Sequence, residues 1–507
     1  MSDATTSFRE THSEGDIVSK APSNANTTNS SKKRIKVDAC VIGAGSGGLT
    51  AAGGLGALGR KVVLVEGGKM GGDCLNYGCV PSKTLIASAK TAHTMRDAAR
   101  FGITPVEPEV QFLDVIGRVQ QVIADLAHHD SEERMKEEFN VDTIRAYARF
   151  TGPREVTAGD TVIEAKHFVI ATGSSAFVPP IEGLKEAGYL TNESVFEQTF
   201  QPRHLIVLGG GPIGMEMAQA HRLLGSKVTV IEKGKIFGKD DPELVAVVRK
   251  RLDADGIDIL EDFEAKKVAK DGDTFTVTIV HEDGTERTVE GDQLLVAVGR
   301  RPNVEGLDLE KAGIEYSPRG IKVDDSLKTT NSRVFAIGDV TGGLQFTHVA
   351  GYQGRLAVKN ILLKALGGKN KTDHVPWVTY TEPELAHVGL TENQVKERGI
   401  KYSVVRAPFH DNDRANAEGE TDGLVKVLVG SDGKILGADV VGAHAGEVVQ
   451  QFALAVANGL KMSAFDKMIA PYPTLGEISK AAADTWSFEK LFTPLNKAAI
   501  KALALLD

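Results

Sequence analysis

The chain reads as an α/β protein built on a repeated strand–glycine loop–helix–strand unit, closed by a C-terminal α+β domain. Three observations predict this. A Gly-x-Gly-x-x-Gly loop follows an apolar strand at Gly43–Gly48 and again, 166 residues later, at Gly209–Gly214. Each loop opens a helix, a small-residue one in the first unit, and each unit closes on a second strand ending in an acid 23 residues after the first glycine, Glu66 and Glu232. From residue 374 onward short strands alternate around a single helix, the pattern of an α+β domain.

The 507 residues suffice for two to four domains, and 41% apolar with 25% charged content describes an ordinary globular chain. The net charge of −9 disfavours a nucleic-acid partner. No apolar run reaches the roughly 18 residues needed for a membrane span. Residues 1–35 are rich in Ser, Thr and Asn and read as a disordered tail. They lack the apolar core of a secretory signal, and their acids argue against a transit peptide. With only three cysteines, the expected location is the cytoplasm.

In the first unit, the strand Val37–Ile42 leads into the loop, and Lys61–Glu66 forms the second strand. Gly43 permits a tight turn, Gly45 lets a pyrophosphate approach the backbone, and Gly48 lets helix and strand pack closely. The helix N-terminus offers free N–H groups and partial positive charge to phosphates. Glu66 can accept hydrogen bonds from a ribose diol. Gly209, Gly211, Gly214 and Glu232 repeat these roles. One such loop is weak evidence; two with equal spacing define two Rossmann-like dinucleotide sites.

Between the units lies Gly71-Gly72-Asp73-Cys74-Leu75-Asn76-Tyr77-Gly78-Cys79-Val80-Pro81-Ser82-Lys83, holding two of the three cysteines. Zinc would need two further ligands, and no second cysteine pair or histidine cluster follows. Two close thiols can instead cycle between dithiol and disulfide. The Asn76–Gly78 turn can bring the two Cα atoms within the roughly 7 Å that a disulfide requires. Two dinucleotide sites beside a dithiol suggest a relay from a nicotinamide through a flavin to the disulfide. Cys40, in a buried strand, reads as core.

On these motifs the segment from about residue 36 to about 485 resembles the flavin-dependent pyridine nucleotide–disulfide oxidoreductases, which include lipoamide dehydrogenase, glutathione reductase and mercuric reductase. The resemblance implies FAD and NAD(P)H as cofactors. It makes Cys74 the interchange thiol and Cys79 the charge-transfer thiol. It makes Lys83 and Glu216 an ion pair beside the flavin. Ala171-Thr172-Gly173 resembles the second flavin motif, and Phe335-Ala336-Ile337-Gly338-Asp339 the third, whose Asp binds the ribityl chain. Val298-Gly299-Arg300 resembles the segment returning from the nicotinamide domain. The implied domains are a discontinuous FAD-binding domain (36–185 and 300–372), an NAD(P)-binding domain (186–299) and an interface domain (373–507) forming a homodimer.

A carboxylate at Glu232 favours the 2′-hydroxyl of NADH over the phosphate of NADPH, with Lys233 and Lys235 close enough to soften the choice. The family carries His-Pro-Thr-x-x-Glu in its last domain, where the partner subunit's His is the acid–base. Here Tyr472-Pro473-Thr474-Leu475-Gly476-Glu477 keeps Glu477 and puts Tyr472 at the His position, as mercuric reductase does. Tyrosine titrates near 10 and is a poor base at neutral pH. Mercuric reductase also delivers metal through a C-terminal cysteine pair, yet no cysteine follows Cys79. The expected acceptor is a small disulfide or a thiol-bound species, metal included. A diaphorase passing electrons to quinones or oxygen, and a non-catalytic redox sensor, are the alternatives. His348, after the third flavin motif, is placed near the flavin. His374, His387 and His410 read as packing or solvent-facing, and Tyr380 as core more readily than as a lining of the substrate cleft.

Overall fold

The computed structural model describes residues 33–363, 366–492 and 494–503. The tail predicted over 1–35 lies outside them up to residue 32, and its last three residues are strand. The first strand, β1 (Lys33–Ile42), begins earlier than its apolar half suggests. Lys33 to Ala165's partner Val37 pair in parallel with residues 161–165, and Arg34–Glu155 (2.9 Å) and Lys36–Glu164 (3.0 Å) bridge the exposed charges. Backbone pairing thus recruits a polar segment that shows no apolar periodicity.

β1 feeds α1 (Ser46–Ala57), then β2 (Val62–Glu66), the short α2 (Gly72–Asn76) and α3 (Cys79–Arg96). β3 (Thr161–Ile170) returns beside β1. Residues 142–145, β2, β1 and β3 form a parallel sheet, and the first half of β3 also carries an antiparallel extension over 148–158. Val63, Leu64, Phe168 and Val169 are buried within it. Burying each such side chain contributes about 1.5–3 kcal/mol.

The second unit repeats the order: β4 (His204–Leu208), α4 (Pro212–Leu223) and β5 (Lys227–Glu232). Its sheet runs 258–261, β5, β4 and 293–296, all parallel, with a three-stranded antiparallel sheet over 263–291. Residues 174–176 pair with 300–302, so the chain leaves the first unit and re-enters it as neighbouring strands. It then adds β6 (Val334–Ala336) to β3 and lays α5 (Thr347–Leu362) against α1.

Residues 377–442 form a five-stranded antiparallel sheet, covered by the helices Ala445–Ala457 and Ile478–Leu491. Lys426, 4% exposed, reaches Asp241 (2.6 Å) and Glu392 (2.8 Å), tying this domain to the second nucleotide unit. Among the described residues no helix is long and apolar enough to cross a membrane.

Candidate active site

A single cleft of about 2880 Å³ is lined by both glycine loops, both acids, Cys74 and Cys79. The glycines divide into two kinds. A Cβ on Gly43 (φ +104°) would sit 2.3 Å from the Ala171 carbonyl oxygen, and one on Gly48 1.8 Å from that of Gly43. In the second unit, Gly209 (φ +109°) and Gly214 would meet the carbonyls of Ala297 and Gly209 at 2.5 and 2.0 Å. The fold itself requires those four. The middle glycines are different: a Cβ on Gly45 meets nothing closer than 3.9 Å, and one on Gly211 nothing within 4 Å. Gly45 and Gly211 also begin α1 and α4 without any side-chain cap. Open space against an uncapped helix start fits a pyrophosphate, so both loops suit a bound dinucleotide.

Each terminal acid clasps its own loop. Glu66 accepts from the N–H groups of Ala44 (2.6 Å) and Gly68 (2.5 Å), and Glu232 from those of Gly210 (2.6 Å) and Gly234 (2.8 Å). A carboxylate has about four acceptor sites, so two remain on each for a ribose diol. Lys233 is held by Glu264 at 3.1 Å and Lys235 by Asp262 at 2.5 Å.

The remaining flavin-motif residues converge on the first loop. Thr172 and Asn303 exchange side-chain-to-backbone hydrogen bonds of 2.8 and 2.9 Å, anchoring the returning segment rather than pointing the Thr172 hydroxyl at a ligand. Gly173 and Gly299 both take positive φ and line the cleft. Gly338 donates its N–H to Gln353 at 2.7 Å, and Asp339 accepts from the Ser174 hydroxyl at 2.6 Å. Burial raises the Asp339 carboxyl above its usual range.

Cys74 lies in α2 and Cys79 starts α3, both as free thiols. The Cys79 thiol is pulled down to about 6, chiefly by a hydrogen bond from Cys74, with help from Thr347 and Lys83. Cys79 Sγ lies 3.4 Å from Thr347 Oγ1 at the start of α5. The same Cys74–Cys79 hydrogen bond, and burial, push Cys74 up. The shifts run in opposite directions and favour ionisation of Cys79 over Cys74. Cys40 is fully buried, its thiol pushed far up by burial, and is core as expected.

α3 packs on α4 through Leu85, Ala89, Met215 and Ala218, and this brings Lys83 Nζ to 2.6 Å from Glu216 Oε2. Glu216 is 6% exposed, and its other oxygen accepts from the Tyr380 N–H at 3.0 Å. The Lys83 ammonium sits 4.3 Å from the centre of the Tyr380 ring, and the half-buried Tyr380 both packs against the core and lines the cleft. Sequence reading also missed Thr347, and the partners of the dithiol turn: Asp73 accepts from Asn192 at 3.1 Å and pairs with Arg300 at 3.1 Å. No local pattern marks them, because the contacts join segments more than a hundred residues apart.

Tyr472 and Glu477 do not line this cleft within one chain. Tyr472 is 69% exposed and donates to Asp413 at 2.8 Å, which raises its phenol further. His348 lines the cleft, its ring stacked on Phe346 and a ring nitrogen 2.9 Å from the Pro376 carbonyl oxygen. His387 is buried 2.6 Å from Asp439, and His410 is exposed.

Two dinucleotide loops, a polarised dithiol and a half-buried Lys–Glu pair in one cleft define a two-site dithiol oxidoreductase. Residues 37–354 match the family model described as pyridine nucleotide-disulphide oxidoreductase, and residues 375–483 that family's dimerisation domain. A mercuric reductase of Bacillus cereus is 37% identical over 89% of this chain and 71% of its own length. A dihydrolipoyl dehydrogenase of Geobacillus stearothermophilus is 34% identical over 89% of this chain and 96% of its own. The Cu(II) complex of the HOCl-induced flavoprotein disulfide reductase RclA from Escherichia coli superposes with a TM-score of 0.80 at 28% identity, covering 89% of this chain and 99% of that one. The chain belongs to the pyridine nucleotide-disulphide oxidoreductase family, and is an FAD-dependent enzyme of mercuric reductase- and lipoamide dehydrogenase-like type.

Proposed function

We propose that this enzyme, as a homodimer, passes electron pairs from NADH to the Cys74–Cys79 disulfide and on to a small disulfide or thiol-bound acceptor, metal-bound species included. The observation that carries the reading is the shared cleft, which the Cys74–Cys79 turn lines together with both dinucleotide loops. When bound, FAD supplies the two-electron carrier that lets hydride chemistry reach a disulfide. Gly43, Gly45, Gly48, Glu66, Thr172, Gly173, Gly338 and Asp339 form its proposed site, with Lys83 and Glu216 at its reactive edge. Gly209, Gly211, Gly214, Glu232 and Gly299 hold the nicotinamide dinucleotide.

In the outward half-reaction Cys74 attacks the acceptor disulfide while its proton passes to Cys79. A Cys74–acceptor disulfide forms, the acceptor S–S bond breaks, and the first thiol leaves with that proton. Cys79 then attacks Cys74 Sγ, which releases the second thiolate and closes the Cys74–Cys79 disulfide. NADH is favoured because Glu232 occupies the ribose end and both neighbouring lysines are already neutralised. A 2′-phosphate would meet carboxylates there.

Tyr472, held by Asp413, is a hydrogen-bond donor and a poor base. This favours a second reading for part of the turnover, electron delivery to quinones or oxygen. NADH oxidation against lipoamide, glutathione disulfide, Hg(II)–thiol complexes and quinones separates the two. Acid–base help is typically worth 10²–10⁴-fold. Tyr472→His is therefore expected to raise disulfide turnover at least tenfold, with a pH dependence near the imidazole value, and to leave quinone turnover unchanged. Efficient lipoamide reduction by the unmodified enzyme would contradict this account of Tyr472.

A further inference from the structure

The turn between the cysteines is wedged by a charge. Asp73 precedes Cys74, and its Oδ2 would lie 2.9 Å from a Cβ on Gly78, the residue before Cys79. One carboxylate therefore backs both ends of the turn. Asn192 donates to Asp73 Oδ1 (3.1 Å) and to the Tyr77 carbonyl oxygen (3.2 Å), holding the wedge in place. Arg300 Nη2 lies 3.1 Å from the same Asp73 oxygen, and the Arg300 side chain is 12% exposed.

Arg300 reaches further. Its Nε donates to the Ser174 hydroxyl and its Nη2 to the Ser174 carbonyl oxygen, both at 2.8 Å. That hydroxyl donates to Asp339 at 2.6 Å. A single guanidinium thus touches the dithiol turn directly and the third flavin motif through one side chain. Removing the charge of Arg300, itself largely shielded from water, acts on the ionisation of its neighbours.

We propose that Asp73 and Arg300 form a charge-balanced pair whose neutrality sets how readily the Cys74–Cys79 couple ionises and is reduced. The inference rests on the proposed redox role of the two cysteines and adds positioning residues to it. Other charges face the thiols. Lys83 acts on Cys79 from α3, and is itself neutralised by Glu216 of α4 under the Tyr380 ring. A cavity of about 520 Å³ on the far side of Cys74 holds His129, Asp130 and Arg134. Asp73 is distinct in opposing ionisation of both thiols. Asp73 disfavours the Cys79 thiolate, Arg300 offsets part of that charge, and Cys74, Thr347 and Lys83 stabilise the thiolate.

The test is a charge cycle on the reduced holoenzyme, reading the pH at which the Cys74–Cys79 dithiol becomes reactive to iodoacetamide. Equilibration with glutathione redox buffers gives the thiol–disulfide balance of the same variants. Arg300→Gln leaves one net negative charge and is expected to move the reactivity onset up by about half to one pH unit, within the range of single-charge effects. Asp73→Asn leaves one net positive charge and is expected to move it down by a similar amount. The double variant is neutral again and returns to the unmodified value, as does Arg300→Lys. Single variants shifting in the same direction, or neither shifting, would overturn the proposal, since a merely structural disturbance of the turn has no reason to depend on charge sign. Failure of the redox role itself shows separately: the unmodified protein would then have no Cys74–Cys79 disulfide for glutathione to open.

Discussion

The two nucleotide units share a backbone and differ in what lies on their helices. Both have a first glycine near φ +105° and an acid clasping the loop through two N–H groups. In the first unit, α5 lies across α1, and the fifth loop position must be Gly47, whose Cβ would meet the Ala350 carbonyl oxygen at 3.1 Å. The equivalent position in the second unit is Ile213, 38% exposed. There α4 packs on α3 instead, and that contact delivers Glu216 to Lys83. In the first unit the helix that carries Thr347 packs over the fifth loop position, while in the second that position stays exposed. The difference suits a tightly retained flavin in the first and an exchanging nicotinamide dinucleotide in the second.

The strongest way to break this comparison is to fill the two middle glycines. Gly45→Val is expected to yield protein without bound flavin. Gly211→Val is expected to remain yellow and to lose reduction by NADH, read by absorbance after anaerobic mixing. Equal flavin loss in both would remove the distinction between the sites. A smaller effect separates the acids. Glu232→Ala is expected to cost about 1–3 kcal/mol of NADH binding, the scale of a hydrogen bond to a charged acceptor. It should narrow the NADH preference in kcat/KM, whereas Glu66→Ala weakens flavin retention and leaves that preference alone. The smallest effect is on stability. Gly47→Ile should destabilise by about 1–3 kcal/mol through overpacking against α5. Ile213→Gly should cost no more than about 1 kcal/mol, a helix-propensity effect. Denaturant unfolding of the two variants measures this.

Much of the site was legible because its signals are local. Glycine spacing marks both loops, and two cysteines five positions apart mark the dithiol. The Lys83–Glu216 pair spans 133 residues and came only from the family resemblance. Tyr380, Asn192, Arg300 and Thr347 were illegible as partners because packing, and not sequence spacing, brings them together. Tyr380 in particular resembles any aromatic at a strand end until α3 places an ammonium on its ring. The start of β1 was misplaced for a related reason. Lys33-Arg34-Ile35-Lys36 carries no apolar alternation, and its order comes from pairing with β3.

The central claim is that the two nucleotide sites and the dithiol act in series, and thiol counting after NADH addition tests it most directly. The oxidised holoenzyme, denatured anaerobically, should show one free thiol per chain, Cys40. After NADH reduction of the native enzyme it should show all three of the chain's cysteines. The Gly211→Val variant should stay at one. A titre that remains at one in the unmodified enzyme while NADH is consumed would contradict the account, because electrons would then be leaving without passing through Cys74 and Cys79.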